Sequence, residues 1–101
     1  MVPVRRIVLD VLKPHEPDLI DFARRVGALD GVEGVRATML EMDRDVQNVA
    51  LVVEGDALEF DPIQETVEDV GASVHSVDEV ACGERLVDPP STGLTAASWL
   101  R

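Results

Sequence analysis

The chain has 101 residues, enough for one domain with a modest core, and 46% of them are hydrophobic, which excludes disorder over most of its length. Twenty acids against nine bases give a net charge of −11, and so acidic a surface repels phosphate backbones, which argues against nucleic acid as the main partner. No apolar run approaches the roughly 18 residues of a membrane span, and the single cysteine, Cys82, excludes an internal disulfide and fits a reducing cytoplasm.

Arg6 to Leu12 alternates as a first strand, with Ile7, Leu9 and Val11 on one face and Val8, Asp10 and Leu12 on the other. Pro14 and Pro17 bracket a turn, and Pro17 suits the first turn of a helix, where its missing N–H is not needed. Glu16 and Asp18 place negative charge at that helix's positive end. Leu19, Phe22, Ala23 and Val26 recur at helical spacing, and Gly27, Gly31 and Gly34 end the helix near Leu29.

Val35 to Asp43 reads as the second strand, with Val35, Ala37 and Met39 on one face and Arg36, Thr38, Leu40 and Met42 on the other. Arg44 to Val46 connects it tightly to a third strand, Gln47 to Glu54, so the two form a hairpin. After Gly55 and Asp56, the run Asp61-Pro62-Ile63-Gln64 predicts a helix capped by Asp61, with Pro62 at the first helical position. Loss of such a cap costs about 0.5–2 kcal/mol. Phe60, Ile63, Val67 and Val70 form its apolar stripe and Gly71 stops it.

Ser73 to Cys82 is the fourth strand, but Val74, Val77 and Val80 are spaced by three. That spacing predicts a bulge near Ser76 and leaves the face taken by His75 open. Residues 1–87 make the domain, and residues 88–101 read as a flexible C-terminal tail. Pro89 to Gly93 is a linker; Leu94 to Leu100, with Trp99, is either disordered or an arm that docks on a neighbouring subunit.

The order βαββαβ predicts an α+β, ferredoxin-like sandwich. Its four-stranded antiparallel sheet runs in the order 4-1-3-2, with both helices on one face. The runs RIVLDVLKPHEP, GVEGVRATMLEMDRDVQNVALVVEGD and GASVHSVDEVACGERLV resemble the archaeal domain-of-unknown-function family 211 from about Val4 to Val87. The resemblance implies a small ferredoxin-like protein in a ring-like homo-oligomer, and it admits calcium association. It supplies no catalytic residues.

The helix-free face of such a sheet carries, by parity, Val8, Leu12, Leu40, Met42, Ala50 and Val52 among polar residues, which reads as a subunit interface. Asp10 lies in a central strand, where a lone carboxylate needs a partner. Arg6 or Arg36 would make an ordinary ion pair. The sharper reading gathers Asp10, His15, Glu16, Glu41, Asp43, Asp45 and His75 at one sheet end as candidate metal ligands. An acid-rich set suits calcium, which takes about 6–8 oxygens, better than zinc. Asp43, Asp45, Gln47 and Glu54 match an EF-hand register in part, but Asn48 stands at the glycine position and strand alternation would split the ligands.

His75, near Asp78 and Glu79, is either a hydrogen-bonded strand histidine or a base. Cys82 has no paired cysteine and reads as a small edge residue, and heavy-metal chaperones of this fold carry two. No phosphate loop, nucleophile elbow or zinc-helix motif is present. The expectation is a cytoplasmic, non-enzymatic homo-oligomer, salt-adapted by its acidity, with calcium at the acidic sheet end. The alternative is a regulatory module holding a small metabolite between subunits. An enzyme using His75 or His15 as base ranks below both.

Overall fold

A computed structural model describes residues 1–87, so the expected tail at 88–101 lies outside the described residues. The elements are β1 (Val4–Lys13), α1 (Leu19–Gly27), β2 (Val32–Met42), β3 (Gln47–Gly55), α2 (Phe60–Asp69) and β4 (Ser73–Cys82). The sheet runs β2-β3-β1-β4 with every neighbour antiparallel, which is the ferredoxin-like arrangement.

One face of the sheet is continuous with the helices. Ile7, Leu9 and Val11 of β1 and Val49, Leu51 and Val53 of β3 pack with Phe22 and Val26 of α1 and Ile63 and Val67 of α2. The alternation read from the sequence is therefore the alternation of the core. Val35, Ala37 and Met39 join it from β2, and Phe60 and Val70 from the ends of α2.

Both helix starts differ from expectation. The cap of α1 is Asp18, whose carboxylate accepts the Asp21 N–H at 2.8 Å, so Pro17 precedes the cap instead of opening the helix. In α2 the cap position is Glu59, without a side-chain bond, and Asp61 lies inside the first turn. Pro62 costs nothing there, because the first four N–H groups of a helix have no partner within it. Leu58 fixes this earlier start: it is buried, and its N–H donates to the Val4 carbonyl at 2.8 Å. At the far end Gly71, at φ 86°, donates to Glu68, and Ala72 donates to Val67, a Schellman stop.

Two strand irregularities decide which side chains share a face. In β4 the pairing with β1 slips on either side of Ser76, leaving Asp78 and His75 as extra residues, which places the expected bulge and doubles it. In β2 the pairing slips between Met39 and Glu41. Leu40 is the extra residue, so beyond it parity is exchanged. Glu41 pairs with Asn48, on the helix-free face, and Met42 pairs with Gln47, contrary to simple alternation. Val8, Ala50 and Val52 on that face are already buried within the chain, so it offers less bare apolar surface than parity predicts. Val77 and Val80 of the edge strand β4 are instead about half exposed, at 49% and 53%.

Candidate functional site

The end of the sheet where β1 stops is shaped by two turns. In the β2–β3 hairpin, one Asp43 carboxylate oxygen accepts the N–H groups of Asp45 and Val46, each at 2.9 Å, and the Asp43 N–H donates to the Val46 carbonyl at 3.0 Å. This is why an aspartate opens the turn. The Val46 and Asp45 N–H groups hold the Asp43 carboxyl below its ordinary value, and the nearby His15 ring assists against a small opposing effect of desolvation.

The second turn follows β1. Lys13, the chain's sole lysine, has no exposed surface, and its ammonium donates to the carbonyls of Pro14 (2.8 Å) and Pro17. Burial pushes the Lys13 ammonium pKa down, while the charges of Asp18 and Glu16 oppose that shift. The turn so anchored brings His15 to the hairpin, where its Nε2 lies 2.9 Å from the Asp43 carbonyl oxygen. A carbonyl only accepts, so Nε2 carries the proton.

Between the strands lies a cleft of about 360 Å³ lined by Asp10, Glu41, Asp43 and His75, with Leu12, Met42, Val46 and Asn48. Four of the seven expected ligand residues thus line one cleft. The bulges are what bring two of them there: Glu41 by exchange of parity in β2, and His75 as the extra residue of β4. The other three are elsewhere. His15 bonds the hairpin main chain. Asp45 is exposed and contributes its N–H to the turn. Glu16 lines a separate cleft with Asp18, Asp21 and Arg24.

Asp10 is half-buried, and its carboxylate accepts from the Asn48 side-chain amide. Arg6 bridges Glu54 (2.8 Å) and Glu79 (3.4 Å), tying β3, β1 and β4 together. The Glu54 hydrogen bond raises the Arg6 pKa against the lowering by burial, and Glu79 adds to the rise. Glu54 is therefore engaged far from the hairpin, in keeping with rejection of an EF-hand.

The sequence matches one described family, an uncharacterised archaeal group termed ArCR and DUF211, over residues 5–95. The chain belongs to the DUF211 family. It is also 44% identical over 89 residues to the uncharacterized protein MJ0319 of Methanocaldococcus jannaschii, covering 88% of this chain and 92% of that one. The DUF211 match runs past Val87, where the sequence resemblance was read to end, and so takes in part of the C-terminal segment.

The family and this relative are both described as uncharacterised, so the chemistry of the cleft is read from its residues. Among the described residues no three His, Cys, Asp or Glu side chains are placed to hold a metal ion together. No described helix is long and apolar enough to cross a membrane. Sequence reading of this DUF211 chain missed Asn48 and Lys13. The signal for Asn48 was its place opposite Leu12, two pairs along from Asp10 and so on the same face. The signal for Lys13 was its position as the only lysine, at the end of an apolar strand.

Proposed function

We propose that this DUF211 protein is a non-enzymatic module that assembles with itself and holds a hard divalent cation, calcium by its chemistry, in the cleft at the hairpin end. The observation that carries the proposal is that Asp10, Glu41, Asp43 and His75 line one opening, although no three of them stand close enough within one chain to hold an ion together. Oxygen-rich sets of this kind suit calcium, which takes about 6–8 oxygen ligands. One chain supplies too few, which is a reason for a second copy to complete the shell. Self-assembly is further supported by the half-exposed Val77 and Val80 on edge strand β4.

The test is the mass of the full chain by native mass spectrometry in calcium and in chelator, with light scattering at high potassium chloride. An oligomer that forms or tightens with calcium, and that Asp10→Asn weakens, is the expected result. A monomer at micromolar concentration under both conditions would sink the assembly. A stable oligomer indifferent to chelation would remove calcium and leave the cleft to a small metabolite.

A further inference from the structure

The helix side of the sheet is not covered evenly. Val74, Val77 and Val80 of β4 pair with Val11, Leu9 and Ile7, whose side chains belong to the core, so all three valines face the helix layer. Val74 packs against that core, yet Val77 and Val80 are 49% and 53% exposed. The helix layer therefore stops short of the outer rim of the sheet. Among the described residues β4 has a neighbouring strand on one side alone, and it carries no lysine of the kind that often blunts such an edge.

The same chain holds a segment unlike the rest in composition. All twenty acids and eight of the nine bases lie before Pro89, and residues 89–101 form the longest acid-free run of the sequence. Arg101 is the only charged side chain in that run, which also carries Leu94, Leu100 and the chain's sole tryptophan, Trp99. It is therefore the part of each copy whose approach to another strongly acidic body is least opposed by charge. The chain leaves β4 close to the exposed valines. Cys82 pairs with Val4 at the start of β1, and Gly83, at φ 111°, turns the chain there with its N–H donating to the Pro3 carbonyl at 2.9 Å. Arg5 fixes this exit by donating to the Glu84 carbonyl at 2.9 Å.

We propose that Leu94, Trp99 and Leu100 of one copy dock on Val77 and Val80 at the β4 rim of a second copy. The docking rests on the self-assembly proposed above and names the segment that carries it. In the sequence Asp88-Pro89-Pro90 two successive residues precede a proline, and such residues favour extended backbone, which directs the run outward and not straight back onto its own strand. Five residues, Pro89 to Gly93, span about 15 Å at the rise of a proline-rich linker, enough to pass from one copy to the next. An apolar, acid-free arm then covers apolar side chains that the helices leave open, and Arg101 meets an acidic body.

The test uses the fluorescence of Trp99 in the full chain, which has no other tryptophan and no tyrosine. Emission is expected to move to shorter wavelength as concentration rises through assembly, with light scattering on the same samples. Val77→Thr with Val80→Thr keeps the branched side chains that suit a strand. This double variant should raise the concentration at half-shift at least about tenfold. A Trp99→Ser chain with both valines intact emits nothing itself, and adding it to the double variant should restore the shift. A shift that is independent of concentration and is not restored by mixing would place the segment on its own chain and overturn docking on a second copy. Trp99 emission that stays that of a water-exposed indole while scattering shows an oligomer would overturn the docking and leave the assembly standing. A full chain that is monomeric at micromolar concentration would overturn both.

Discussion

A Cβ atom on Gly55 would lie 2.0 Å from the carbonyl oxygen of Gly31. The end of β3 and the turn that leads into β2 approach this closely because neither residue has a side chain, and Gly31 also holds a φ of 86°. Leu58, which orients the start of α2, would press on the same Cβ at 2.9 Å. Gly55→Ala must therefore move backbone, not a flexible side chain. It should cost about 3 kcal/mol, read as a fall in melting temperature of roughly 10–20 °C. An unchanged melting temperature would mean that the two turns separate freely.

The two helix starts make a paired prediction. Asp18→Ala removes a cap bond of 2.8 Å and should cost about 1 kcal/mol in chemical denaturation. Asp61→Ala removes no side-chain cap bond and should cost about 0.5 kcal/mol or less, through the helix dipole alone. The sequence favours the reverse order, because Asp-Pro at a helix start is the stronger local signature. Equal losses would show that the Asp61 cap forms in solution.

That contrast marks how far the sequence can be read. Alternation at Ile7, Leu9 and Val11 is a local property of a strand, and the core follows it without exception. The wide spacing of Val74, Val77 and Val80 announced the β4 bulges, because an extra residue must shift an apolar period. The slip at Leu40 left no such mark, since Leu40 and Met42 fit either face. Glu41 was therefore counted at the right end of the sheet while parity placed Met42 on the wrong face. Partner choice was the least legible. Which acid Arg6 takes, or which amide Asp10 takes, depends on the register between strands distant in sequence.

Salt supplies a third measurement. At a net charge of −11 the folded chain repels itself, and potassium chloride screens this within about 3 Å at 1 M. The melting temperature should climb between 0.1 and roughly 2 M salt, and Gly55→Ala should be rescued in part. The Arg6 bridges, with the arginine side chain at 10% exposure, should be screened less than surface pairs. A flat or falling curve would remove the case for salt adaptation.

Lys13 offers the sharpest test, because its titration can be isolated. Its ammonium donates to the Pro14 and Pro17 carbonyls, and its stem is fully buried. Lys13→Met keeps most of the volume but removes that donor, so it should cost about 1–3 kcal/mol at pH 7. The pH dependence has a definite sign. Burial lowers the folded pKa below the ordinary 10.5, so between the two values the unfolded chain binds more protons. Stability contributed by this group is full above 10.5 and is lost as pH falls through the folded value. The native protein should therefore gain stability as pH rises towards 10.5, and Lys13→Met should lose that gain. The chain has no tyrosine and no second lysine, so with Cys82→Ser only the amino terminus otherwise titrates near this window. A native profile parallel to that of Lys13→Met would show that the ammonium reaches water, and that the turn carrying His15 is held by something else.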